Sequence, residues 1–183
     1  LYGMAGMLAC LLIVVLHFLP NNLGKLPASR DMSEFFSKSS GIKLLSAARI
    51  FLFGARDIWF VVGVPVFLYQ SGWSFWEVGG FLAVWTIFYG IIQGLAPRMI
   101  VRSPDGLSLE ILASRAMACA LCAVPLSLVL ALYGIDSNVE VPVVLIGLSL
   151  FAFFFALNSS LHSYLILAYS GTKKTAEDVG FYY

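Results

Sequence analysis

The sequence predicts an all-α fold, a polytopic bundle of transmembrane helices, on three observations. Sixty per cent of the 183 residues are hydrophobic and only 11% are charged, where a soluble domain carries about 25% charged residues. The apolar residues gather into long runs, each close to the roughly 20 residues that cross a bilayer. The basic residues outside those runs fall in alternate connections only. A chain this apolar could not cover its own surface in water, so the lipid bilayer is its expected solvent and first partner. The formal net charge of +1 provides no electrostatic footprint for nucleic acid.

The elements follow in order. The first run, 1–19, is closed by Pro20-Asn21-Asn22, and further spans are predicted at about 42–70, 75–100, 109–133 and 141–169. Another helix is expected to start near Glu177. The organisation expected from this is a transmembrane helix (1–19) ending a first half, a linker (20–41), and a second-half helix bundle (42–183). The chain is expected to be cut at both ends, since Leu1 already lies in an apolar run and Tyr183 follows the start of a new segment. It has no charged, apolar and cleavable leader pattern.

The connections set the expected topology. Lys25, Arg30, Lys38, Lys43, Arg98, Arg102, Arg115, Lys173 and Lys174 lie in or beside the first, third and fifth connections. The second, Ser71-Gly72-Trp73-Ser74, and the fourth, Gly134 to Glu140, contain no Lys or Arg. The positive-inside rule then makes 20–41, 101–108 and 170–176 cytoplasmic, and Trp73 and Trp76 mark the opposite interface.

Two of the eleven basic residues break the pattern, because Arg49 and Arg56 lie inside the second span. Seven residues make nearly two helical turns, so both are expected on one face. An Arg or Asp at the helix centre costs about 2.5–3.5 kcal/mol. Arg49 could snorkel to the inner interface, whereas Arg56 is too deep for that. The functional reading is a basic stripe lining a cavity and holding an anion in the guanidinium fork. Asp57 would tune that site or carry a coupling proton. The structural alternative is an ion pair that only fixes packing. A simple Arg56–Asp57 pair is disfavoured, since adjacent helical residues do not face each other.

Two further polar clusters are candidates for the same cavity. Thr86, Tyr89 and Gln93 share a face of the third span, and Asn158 and His162 are one turn apart on the fifth, beside Ser159 and Ser163. His162 titrates near neutrality and could join a proton path. The competing reading for both clusters is interhelical hydrogen bonding, worth about 0.6 kcal/mol each in membranes. Helix glycines and prolines, among them Gly54, Gly63, Pro65, Gly79, Gly80, Gly90, Gly94 and Pro125, are expected to allow close helix approach and bending. Cys119 and Cys122 have C-x-x-C spacing, but they read as two small residues on a lipid-embedded helix, with no second pair or nearby His to complete a metal site. His17 is expected at the interface. The sequence contains no H-E-x-x-H, P-loop, G-x-S-x-G or dinucleotide turn, so no catalytic residue, cofactor or metal is expected.

The stretch Leu45-Ser46-Ala47-Ala48-Arg49-Ile50-Phe51-Leu52-Phe53-Gly54-Ala55-Arg56-Asp57-Ile58-Trp59-Phe60-Val61-Val62-Gly63 resembles the seventh helix of ArsJ-type organoarsenical efflux permeases. Gly72 to Ala83, then Gln93-Gly94-Leu95-Ala96-Pro97-Arg98, and Asn158 to Tyr183 are similar to later parts of that family. The resemblance implies a partial major-facilitator fold, from helix six to the start of helix eleven, in a bacterial cytoplasmic (inner) membrane. It implies proton-linked export of 1-arseno-3-phosphoglycerate, conferring arsenate resistance, with a functional link to a glyceraldehyde-3-phosphate dehydrogenase. The expected substrate residues are Arg49, Arg56, Tyr89, Gln93, Asn158 and His162, and the proton-coupling candidates are Asp57 and His162. The facilitator loop motif is only faintly echoed by Gly94, Arg98 and Arg102, without its Asp. A carrier of another organic anion is the nearest alternative, and a membrane-embedded enzyme or assembly factor the alternative from another class.

Overall fold

The computed structural model describes residues 2–18, 38–170 and 175–183. The predicted linker 20–41 lies almost wholly outside them, as do Lys173 and Lys174. Helix α1 (Tyr2–Phe18) lies in one compact unit of the chain and the remaining helices in another. In that second unit, α2 (Ser40–Gln70), α3 (Phe75–Met99), α4 (Ser108–Leu132) and α5 (Ser137–Tyr169) are long and apolar enough to cross a membrane. The short α6 (Thr175–Tyr182) follows. No β-strand occurs among the described residues, and the molecule is an all-α helical bundle.

Local chemistry fixes the helix ends. The Ser39 side chain accepts the Ile42 N–H at 3.4 Å, so α2 starts two residues before the expected position. From Ile58 to Gly63 α2 widens into a π-turn immediately before Pro65. In a regular α-helix the Pro65 ring would collide with the Val61 carbonyl, and the wider turn relieves that clash. Gly72, at φ 86°, turns the chain toward α3. There Ser74 and Glu77 form a reciprocal capping box. Helix α5 starts four residues earlier than predicted, because Asp136 accepts the Asn138 N–H at 3.2 Å. Acidic Glu140 thereby falls in its first turn, where the helix dipole favours it.

Asp105 organises the α3–α4 connection. Its carboxylate accepts from the Leu107 and Ser108 N–H groups at 3.1 and 3.0 Å, and from the Ser108 hydroxyl. Hydroxyl hydrogen bonds from Ser103 and Ser108, joined by these backbone N–H groups, hold the Asp105 carboxyl well below the usual carboxylate range.

Helix α5 is the hub. It packs along both α3 and α4 and also meets α2 and α6. One apolar cluster joins Val64 and Leu68 of α2, Val78 and Trp85 of α3, and Leu148 and Ala152 of α5. A second joins Ile42 and Leu45 of α2, Leu165 and Ile166 of α5, and Tyr182 of α6. Many large apolar residues on the outer faces stay exposed, among them Phe51, Trp76, Ile87 and Leu130. Helices in water hide such faces, and lipid does not require it.

The expectation that helix glycines mark close approach needs correction. A Cβ added at Gly54, Gly79, Gly80, Gly90 or Gly94 would meet nothing within 4 Å. The tight glycines are Gly147, against the Leu128 side chain at the α4–α5 contact, and Gly41, against the Tyr169 ring at 2.9 Å. Spacing alone does not say which face of a helix meets a neighbour.

Gly147→Ala is expected to destabilise the bundle by about 1–3 kcal/mol through overpacking, while Gly79→Ala is not. Thermal unfolding of the detergent-solubilised protein compares the two. Because the Asp105 carboxyl is depressed, its capping is complete above about pH 4 and is lost only as pH falls through the lowered value. Asp105→Ala should speed hydrogen exchange at the Leu107 and Ser108 amides at neutral pH, and equal exchange in both proteins would contradict these hydrogen bonds.

Candidate functional site

Arg49, Phe53 and Arg56 succeed one another at intervals of four and three residues, and so lie on one face of α2. The Arg49 guanidinium sits 4.1 Å from the Phe53 ring centroid, 4.0 Å from Tyr183 and 4.8 Å from Tyr182. Its Nη1 donates to the Tyr182 hydroxyl at 3.3 Å. Arg56 lies over the other end of the same strip, 4.7 Å from Phe53 and 5.3 Å from Phe155 of α5. Phe155 is fully buried and meets Phe53 edge-on at 5.2 Å. Both guanidinium groups therefore turn toward α5 and α6. The aromatic faces stand in for water, at about 2 kcal/mol or more per desolvated cation–π contact.

The two arginines differ in charge compensation. Arg56 donates from Nε and Nη2 to Asp57 Oδ1 at 2.7 and 2.5 Å. This corrects the expectation that neighbours on a helix pair poorly: the arginine side chain is long enough to reach around the backbone to the exposed carboxylate. Asp57, the first proton-coupling candidate, is thus engaged with Arg56. Arg49 ion-pairs with no carboxylate among the described residues, and only one of its several N–H donors is placed by a hydrogen bond to Tyr182.

On α3, Tyr89 stacks on Trp85 at 5.9 Å and packs against Phe155 at 5.7 Å. Gln93 Nε2 donates to Ser159 Oγ of α5 at 3.4 Å. Thr86 departs from the expected cluster: it is exposed, and its hydroxyl donates to the Leu82 carbonyl of its own helix at 2.8 Å. A threonine satisfied by the preceding turn needs no interhelical partner.

On α5, Asn158 is 1% exposed and its Oδ1 accepts from Ser114 Oγ of α4 at 3.2 Å. One turn on, His162 is 5% exposed, and its Nδ1 is buried with no hydrogen-bond partner. An unpaired buried polar atom costs about 1–3 kcal/mol, so this nitrogen stands out in an otherwise satisfied helix. The His162 ring lies 6.3 Å from that of Tyr182, the residue that also holds Arg49. Ser163 donates to the Ser159 carbonyl at 3.0 Å, as small hydroxyls in membrane helices do.

Thus α2, α5 and α6 bring Arg49 toward His162 through Tyr182, with Arg56 farther along the strip at Phe155, while Gln93 and Asn158 tie α5 to α3 and α4. Sequence reasoning missed Phe155, Ser114, Tyr182 and Tyr183. Phe155 sits in an uninterrupted apolar run and sends no signal, whereas the Tyr182-Tyr183 pair would have been a fair guess as a cation partner. It also missed an ion cluster at the α2–α6 end. Lys38 Nζ lies 3.3 Å from Glu177 Oε2 and 2.9 Å from Asp178 Oδ1, with its side chain 5% exposed.

A cavity of 150 Å³ between the π-turn of α2, α4 and α5 is lined by apolar side chains, including Trp59, Phe67, Pro125 and Leu128, and contains none of the predicted site residues. Cys10, Cys119 and Cys122 are free and exposed. Among the described residues no group of His, Cys, Asp or Glu could hold a metal ion. Comparison with protein-family models, curated proteins and solved structures gives no match to this chain.

Ser114→Ala is expected to destabilise the bundle by about 1–2 kcal/mol. The value exceeds the usual interhelical hydrogen bond in membranes because it strands the fully buried Asn158 Oδ1. Ser163→Ala, which removes a bond to its own helix and a long 3.5 Å contact with the exposed Tyr183, should cost much less. Resistance to denaturing detergent separates the two variants.

Proposed function

We propose that this chain is part of a secondary carrier for an organic anion, with the anion held at the basic face of α2. The observation that carries the reading is Arg49: a guanidinium inside an apolar helix of spanning length, turned inward, with no carboxylate partner among the described residues. Such a cation is costly in lipid, and intramembrane charges mark ligand pathways by default. An anionic cargo supplies the missing countercharge, and the guanidinium fork suits phosphate, arsonate or carboxylate. Arg56, half-neutralised by Asp57, adds attraction farther along the same strip. Tyr89, Gln93, Asn158 and His162 supply the polar surroundings.

The finer reading rests on the resemblance to ArsJ-type permeases. It makes the chain the larger part of the second half of a major-facilitator carrier in a bacterial cytoplasmic membrane, with 20–41, 101–108 and 170–176 on the cytoplasmic side. The cargo is then an anionic organoarsenical of the 1-arseno-3-phosphoglycerate type, exported with proton coupling and formed by a partner glyceraldehyde-3-phosphate dehydrogenase. The alternation of Lys and Arg between connections supports the orientation. The multiple negative charges of that cargo suit two arginines on one face.

The test is uptake into everted vesicles from cells that express the protein, with the organoarsenical generated by the dehydrogenase from arsenate and glyceraldehyde 3-phosphate. Wild-type vesicles should accumulate arsenic, and Arg49→Gln should lose at least about tenfold in rate, the worth of one charge-assisted contact. Preference for a plain sugar phosphate would keep the carrier and replace the cargo. Cells carrying Arg49→Ala and Arg56→Ala together that kept full arsenate resistance would sink the carrier reading.

A further inference from the structure

The proposed carrier site leaves open where a proton would act, and two features of the fold converge on one place. Arg49 presents a cation with no carboxylate beside it among the described residues. His162, one helix away, has a buried Nδ1 with no partner. Tyr182 lies between them, its ring 6.3 Å from the imidazole and its hydroxyl accepting from Arg49. Two nitrogen-rich groups, one permanently cationic and one able to become so, meet the same phenol, and among the described residues neither is paired with a carboxylate. In a protein interior this arrangement is unfavourable when both are charged and no anion is beside them. A doubly negative oxyanion removes the conflict, because it accepts hydrogen bonds from both.

The other groups around His162 sharpen this. From α2 the charged neighbour is Arg49, which donates to the same Tyr182 that the imidazole meets. From α6 the titratable neighbours are Tyr182 and Tyr183, the latter 3.5 Å from the Ser163 hydroxyl. On α3 Tyr89 stacks on Trp85, and the neutral Gln93 hydrogen-bonds Ser159 of α5. On α4 Ser114 hydrogen-bonds Asn158, and the buried Glu110, which faces Ser160, Leu161 and Tyr164, accepts from the Ser103 N–H and hydroxyl. The buried carboxylates of α4 and α6, Glu110 and Asp178, are engaged by Ser103 and Lys38. Asp57 is exposed and already bonded twice by Arg56.

Resting on the carrier reading, we infer that one oxyanion and one proton bind together between Arg49 and His162. Hydronium gives up a proton to the imidazole, so one O–H bond breaks, one N–H bond forms and water leaves; the anion then bridges the imidazolium and the guanidinium without covalent change of its own. Each ligand then raises the affinity for the other by the same factor, as linkage requires. The ligand class is a phosphate-, arsonate- or sulfate-like dianion, and the coupling device is His162 itself.

Sulfate is the probe, because its charge stays constant over the range where histidine titrates, whereas phosphate changes its own charge there. Sulfate binding to the purified protein in lipid nanodiscs is measured by calorimetry at the acid and neutral ends of that range, in buffers of different ionisation heat. The expected result is affinity about tenfold higher at the acid end, within the usual span of coupling energies, with net uptake of a proton per anion between the two ends. His162→Gln should bind at the weak neutral-form level throughout, without proton uptake. Arg49→Gln should bind at neither pH, and Thr86→Val, away from the site, should match wild type. Loss of folding in His162→Gln would leave the wild-type proton uptake as the deciding measurement. Sulfate binding with no pH dependence, no proton uptake, or an unchanged His162→Gln profile overturns the inference and leaves the carrier reading standing. Coupled binding without transport in vesicles does the reverse.

Discussion

Every other feature of this molecule answers to one constraint: a guanidinium group in an apolar helix must be solvated by something other than lipid. Arg49 and Arg56 meet it in different ways. Arg56 folds back on Asp57 and accepts the flanks of Phe53 and Phe155. Among the described residues Arg49 meets aromatic faces and a phenol hydroxyl, without a carboxylate. Aromatic quadrupoles attract a cation and bring no compensating formal charge, so Arg49 is held in place while its net charge remains. That remaining charge is what an anion would use.

The bundle is arranged to keep this strip in place. Helix α5 is the element that the others share, with one apolar cluster toward the second connection and another toward α6. The polar layer lies between the clusters, where Phe155, Asn158 and His162 are buried. Its interhelical hydrogen bonds, Gln93 to Ser159 and Ser114 to Asn158, fix the rotation of α3 and α4 about α5. Rotation matters because apolar packing against lipid is nearly indifferent to which face turns inward. A few polar contacts therefore settle the register of helices that hydrophobicity alone leaves free.

The π-turn of α2 and the ion cluster at its start bracket the same helix. Pro65 widens the backbone on one side of Arg56, and Lys38 binds Glu177 and Asp178 on the other side of Arg49. A helix with a softened turn and an anchored end can bend between them, and wide turns of this kind concentrate at functional sites. The buried lysine cluster has a cost of its own, since desolvating charges offsets most of their attraction. Its value lies more in specifying where α6 docks than in stability.

The sequence by itself determined the solvent, the helix count in the bundle and the identity of the costly charges. These depend on composition and on run length, which are additive along the chain. It also placed Arg49 and Arg56 on one face, because helical periodicity is a local property. It misjudged the starts of α2 and α5, where Ser39 and Asp136 cap earlier than the apolar runs begin, and it disfavoured the Arg56–Asp57 pair. Only the tertiary structure decided which polar residues meet. Thr86 turned outward and Gln93 inward, Arg49 came to rest against Tyr182 and Tyr183, and His162 was left with an unpaired nitrogen. Those outcomes depend on helix rotation and on contacts between different helices, as far apart in sequence as the 133 positions from Arg49 to Tyr182, and no local pattern encodes either.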